Sequence, residues 1–139
     1  MKVLAPLLSG KEDCPEYIAA ITSGIDHVIL LAVIDKEFMR KTSAAMSEVM
    51  HYHILMERVK KAVGAKKKKC EEATEWGATI QKITSLALLK QVDKVVFVKQ
   101  RNQFFQDILD ELREKKIKVE LVDVKEKTEE EKKNDLKNK

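Results

Sequence analysis

The segment His27 to Val33, His-Val-Ile-Leu-Leu-Ala-Val, is apolar at every position after its histidine. A strand with one face in water alternates apolar and polar residues, whereas a strand that is apolar throughout must be covered on both faces. Crossover helices on both sides of a parallel sheet provide that cover. Val95-Val96-Phe97-Val98 repeats the pattern within a run from Lys94 to Val98. Val3 to Leu8 and Val119 to Val124 complete four strand-like runs, and the last carries Glu120 and Asp123, which suits a sheet edge.

Between these runs the period becomes helical. Asp13-Cys14-Pro15-Glu16 predicts a helix start, with Asp13 at the cap, Pro just inside and Glu three residues after the Asp. Gly24 stands where such a helix ends. A long helix is predicted over Lys36 to Val63, with an apolar seam of Phe38, Ala45, Val49, Tyr52, Met56, Val59 and Val63, and Gly64 as its stop. Cys70 to Trp76 reads equally as a third strand or a helix tail. Thr79 to Gln91 and Gln103 to Lys115 are helical, the second with Phe104, Phe105, Ile108, Leu109 and Leu112 facing inward. The order β-α-β-α-(β)-α-β-α-β, joined by right-handed crossovers, is that of a doubly wound α/β sandwich of three layers around a parallel sheet. Residues 1–124 form one domain on this reading. The Lys- and Glu-rich remainder, 125–139, has Leu136 as its one large apolar residue and is expected to be a flexible tail.

Composition removes several classes of function. The 139 residues suit a single core. The 36% charged residues exceed the usual share of about a quarter, yet the net charge of +4 is dispersed rather than gathered into a stripe. Lys66 to Lys69 is the one local cluster and reads as a solvated loop or strand edge, so nucleic acid is not the expected partner. No apolar run approaches the roughly 20 residues that cross a bilayer, and the N-terminus runs directly into a strand-like segment without a signal peptide. Cys14 and Cys70 lie far apart and match no metal or redox spacing, which suits reduced thiols in a cytoplasmic protein.

No constellation of side chains predicts catalysis or a metal. His51 and His53 stand two apart on a helix and point about 200° from each other, so they cannot grip one ion together. Glu48 and His51 supply only two ligands. There is no Gly-x-Ser-x-Gly elbow, and Cys14 has no sequence-level base. The expectation is a protein that is not an enzyme and needs no cofactor. Met39, Met46, Met50 and Ile54 form a second apolar strip on the long helix, either a subunit or partner surface or a face covered by neighbouring helices.

Four pieces of the chain share a further likeness: Lys2-Val3-Leu4-Ala5-Pro6, Leu31-Ala32-Val33-Ile34-Asp35, Glu75-Trp76-Gly77 and Asp93-Lys94-Val95-Val96-Phe97-Val98. In this order and spacing, over residues 2–124, they resemble the universal stress protein family. The matching features are a first strand closed by Pro, the second strand and its turn, the glycine turn out of the third strand, and an Asp-led fourth strand. The resemblance implies a five-stranded parallel sheet in the order 3-2-1-4-5, of the adenine nucleotide-binding type. It makes the Cys70 segment a strand at the far edge. It also implies a homodimer paired through the Val119–Val124 edge strand.

The departures bear on function. Family members that hold ATP carry glycines after the fourth strand, which let backbone amides approach phosphates. Here that strand runs into Lys99-Gln100-Arg101-Asn102-Gln103, and no glycine occurs from Ala78 onward. The acidic residue expected after the first-strand Pro is replaced by Leu7, Leu8 and Ser9. The resemblance therefore implies a regulatory or interaction module that does not hold ATP in the family's way. The alternative is a sensor of an adenine nucleotide or other anion in a remodelled cleft at the sheet's carboxyl edge, for which Ser9, Gly10, Val33, Lys99 and Arg101 are the candidate residues.

Overall fold

The computed structural model describes residues 1–35 and 45–124, with side chains described throughout except at 45–49. Its elements are β1 Lys2–Pro6, α1 Pro15–Thr22, β2 His27–Ile34, α2 Ala45–Ala65, β3 Lys69–Trp76, α3 Thr79–Leu89, β4 Lys94–Val98, α4 Gln103–Glu114 and β5 Val119–Val122. The five strands form one parallel sheet in the order β3-β2-β1-β4-β5. The expected doubly wound arrangement is the one observed.

Alternation along each central strand divides the core into two layers. Val3, Ala5, Val28, Leu30, Ala32, Val96 and Val98 meet α1 and α2 on one face. Leu4, Ile29, Leu31, Val33, Val95 and Phe97 meet α3 and α4 on the other. This two-sided burial is why β2 carries no polar residue after His27. The polar segment that reads two ways in sequence is strand β3, aligned with β2 from His27↔Lys69 to Ile34↔Trp76. It tolerates Glu71, Glu72 and Glu75 because it is an edge.

Local details differ from expectation. The α1 cap is Cys14, without a side-chain bond, and Asp13 instead pairs with Arg58 at 3.4 Å. Gly64 lies inside the last turn of α2, and the left-handed position after it is taken by Lys67, φ 59°. Phe104 is turned outward, 46% exposed, while Phe105, Ile108, Leu109 and Leu112 fill the core. Strands β1 and β5 end at Pro6 and Val122, short of Leu8 and Val124. Helix α3 ends at Leu89 and α4 at Glu114. Of the long-helix seam, Tyr52, Met56, Val59 and Val63 pack on the core, joined by Leu55. Phe38, Ala45, Val49, Met39 and Met46, and the tail from Lys125, lie outside the described residues or side chains.

Candidate functional site

The chain leaves β1 toward β2 and β3 on one side, then returns to place β4 and β5 on the other. The sheet therefore reverses direction between β1 and β4, and loops at the carboxyl ends of strands there diverge to form a crevice. A cavity of about 320 Å³ lies at this carboxyl edge. Its apolar wall is Leu8, Val33, Ile34, Phe104 and Phe105. Asp35, Tyr52, Thr79, Gln100 and Asn102 supply the polar groups, and Asp35 is the one charged residue among them.

Two helix N-termini meet the cavity, and each is held by a lining side chain. Ala78, at the start of α3, offers no side-chain cap. The Asp35 carboxylate, from the end of β2, instead stands 3.4 Å from the Thr79 N–H and 3.3 Å from its hydroxyl. At α4, the Asn102 Oδ1 accepts the Phe105 N–H at 2.8 Å, a normal N-cap. Its Nδ2 donates to Gln100 Oε1 at 3.1 Å, which ties the two lining amides together. Phe105 packs edge-on against Phe97, with centroids 5.5 Å apart.

Beside the cavity, the turn after β1 closes on a buried acid. Glu12 is 1% exposed. Its Oε2 accepts the Ser9 N–H at 3.0 Å and the Ser9 hydroxyl, and its Oε1 accepts the Gly10 N–H at 3.0 Å. Burial pushes the Glu12 carboxyl above its ordinary pKa, and the donors from Ser9 and Gly10 pull back only part of that rise. Gly10 has φ +83°, and a Cβ there would stand 3.2 Å from Nε2 of His51 on α2. Tyr17, fully buried nearby, has a hydroxyl pKa raised well above the usual value by burial and then by the Glu12 charge.

Of the residues the sequence singles out, Val33 lines the cavity. Ser9 and Gly10 form the turn around Glu12, one and two residues past the lining Leu8. Lys99 and Arg101 are exposed and do not line the cavity. The backbone stays extended past β4, where Lys99 N–H still bonds to Val122 O at 2.9 Å, so Gln100 and Asn102 turn to the cavity and their neighbours to water. Glu12, Asp35, Tyr52, Gln100 and Asn102 are additions from the structure. Asn102 had a sequence signal, a capping residue just before an amphipathic run. His53 sits at a second cavity between α2 and β3, while His51 packs on Gly10. Among the described residues no group of three His, Cys, Asp or Glu side chains could hold a metal ion. Cys14 and Cys70 are half-buried, and burial raises both thiol pKa values.

No protein-family model matches the chain, and no curated protein matches it in sequence. Solved structures do match. The hypothetical protein MJ0577 superposes with a TM-score of 0.69 at 19% identity, over 91% of this chain and 97% of its own. The universal stress protein UspA from Lactobacillus plantarum gives 0.66 at 13% identity, over 88% and 97%. A universal stress protein family member from Arabidopsis thaliana, solved with AMP bound, gives 0.59 at 12% identity, over 90% and 92%. This chain has the universal stress protein fold.

Within the universal stress protein fold, this chain makes its β4–α4 link with Lys99, Gln100, Arg101 and Asn102 alone. No residue of the link is a glycine, and the amide at the third position of α4 is already taken by the Asn102 cap. Among the described residues, no helix is long and apolar enough to cross a membrane.

Proposed function

We propose that the chain is a non-enzymatic regulatory module of the universal stress protein type. Its cavity takes a small planar ligand with little or no phosphate, a nucleoside being the best fit, and it does not hold ATP through a glycine loop. The observation that carries this reading is the lining: among the described residues, the cavity walls include no lysine, arginine or glycine, and Asp35 is their one charged side chain. Such walls offer a phosphate no cation and no glycine amide, whereas the side-chain oxygens of Thr79, Gln100 and Asn102 suit hydroxyl or amino donors. The volume of about 320 Å³ lies at the small end of ligand pockets. Val33, Ile34 and Phe104 offer apolar surface for a flat ring. The AMP bound to the Arabidopsis protein of the same fold supports an adenine nucleoside over other planar molecules.

The module acts as a cytoplasmic homodimer on this proposal, through the side of β5 that no other described strand pairs, where Leu121 is 37% exposed. Leu121→Lys should convert the dimer to a monomer in sedimentation velocity, and an unchanged coefficient argues against this edge. Met50 and Ile54, 62% and 48% exposed on α2, offer the alternative surface for a partner protein.

The test is thermal unfolding with adenosine, AMP and ATP at millimolar concentration. A ligand at a hundred times its Kd adds about 2.7 kcal/mol, a shift of several degrees. Adenosine should raise the midpoint most and ATP least. A larger shift with ATP, or no shift with any of the three, would refute the nucleoside reading.

A further inference from the structure

The turn after β1 has the form of an anion site. Successive backbone N–H groups, Ser9 and Gly10, converge on one carboxylate, and the Ser9 hydroxyl adds a third donor. The Lys11 N–H donates to Ser9 Oγ at 3.0 Å, which orients that hydroxyl toward Glu12. Converging amides of this kind, with the left-handed Gly10 closing the curve, make the concave nests that bind phosphates elsewhere. Their position matters as much as their form. The loop after β1 lies where the strand order of the open α/β sheet reverses, the place where such sheets bind ligands.

Here the occupant belongs to the chain. We infer that the turn is an anion-binding nest filled by the chain's own Glu12, and that Glu12 adds to the lining's refusal of phosphate by keeping the nest beside the cavity occupied. The two sites touch through consecutive residues: Leu8 lines the cavity and Ser9 the nest, while on α2 Tyr52 lines the cavity and His51 packs on Gly10. A ligand in the cavity that carried a phosphate toward β1 would meet a turn whose Ser9 and Gly10 donors are already used by a carboxylate. Glu12 is thus a specificity-determining residue, acting through occupancy rather than by contact with the ligand.

The consequence for ligand choice rests on the cavity reading above, but the nest itself does not, and the experiment separates them. Glu12→Ser and Glu12→Ala each vacate the nest. Inorganic phosphate at tens of millimolar should raise the melting midpoint of both variants by several degrees, beyond the effect of chloride at equal ionic strength, and should leave the wild type no more stable than chloride does. If the emptied variants are unfolded without phosphate, phosphate and not chloride should restore their near-ultraviolet circular dichroism. Variants that respond to phosphate no more than the wild type, or stay unfolded in it, overturn the inference. In a second arm, the AMP-to-adenosine affinity ratio should rise about tenfold on vacating the nest, and an unchanged ratio breaks the link between nest and cavity. A phosphate response with no adenosine binding in any form would leave the nest standing and remove the nucleoside reading.

Discussion

The hydroxyl of Tyr17, on α1, donates to the main-chain carbonyl of Val96, on β4, at 2.6 Å. The bond fills a gap left by a proline. Leu7 gives its N–H to Leu31 on the β2 side, so Pro6, one residue earlier, directs its nitrogen toward β4, where it has no hydrogen to give. Val95 and Lys99 bond toward β5, so Val96 turns its carbonyl toward β1. The β1–β4 register accordingly stops at Leu4↔Val95, and the acceptor that the ladder would have satisfied is met by Tyr17 instead.

Removing that hydroxyl strands a buried acceptor. Tyr17→Phe should cost about 1–3 kcal/mol in urea unfolding, with little change in slope. In a Pro6→Ala background, where a backbone donor returns, the same change should cost less. Equal costs in the two backgrounds would mean that Pro6 is not the source of the gap.

Glu12 makes stability depend on pH in an unusual sense. A folded-state pKa above the unfolded value means that the folded chain holds the proton more tightly. Its contribution is therefore greatest in acid. It declines as pH rises past the ordinary value of 4.5 and levels off above the raised one. Glu12→Gln removes the titration, so the stability of wild type relative to the variant should fall with rising pH across that window. Urea unfolding at a series of pH values measures it, and a flat or rising difference contradicts the assignment.

Gly10 is constrained twice. Gly10→Ala forces a left-handed side chain, at a cost of about 1–2 kcal/mol, and brings its Cβ to 3.2 Å from His51 Nε2. In a His51→Ala background the contact disappears and the backbone cost remains. The double-mutant cycle should therefore show a smaller loss, and strict additivity would place His51 away from the turn.

Asn102 both caps α4 and lines the cavity. Asn102→Ala should lower stability by about 1 kcal/mol, and Asn102→Asp, which keeps the cap acceptor, should lower it far less. Thermal unfolding of the pair measures this, and equal losses would show that the cap bond contributes nothing.

What was legible in the sequence followed from burial. His27 to Ile34 announces two covered faces because every residue has one, and that run, with Val95 to Val98, sets the architecture. Strand β3 was legible through the family resemblance but not from its own residues, since Glu71, Glu72 and Glu75 carry no apolar period and the strand exists through backbone pairing to β2, distant in sequence. The site was legible where it belongs to a strand, at Val33, and obscure where it belongs to a turn. Lys99 and Arg101 attract attention by charge, yet the parity of the chain leaving β4 aims Gln100 and Asn102 at the cavity. Glu12 resembles any surface acid until the turn folds around it and leaves it 1% exposed.

The short β1–β4 register has a mechanical consequence. Five residue pairs join β1 to β2, but two join β1 to β4. The sheet thus divides into β3-β2-β1 and β4-β5, stitched along a brief seam that Lys2 and Asp93 close at one end and Tyr17 rivets at the other. Slow breathing of the molecule should concentrate along this seam. The cavity has Leu8, just past β1, on one side of the seam and Gln100, just past β4, on the other, so whatever fills it clasps the two sides together.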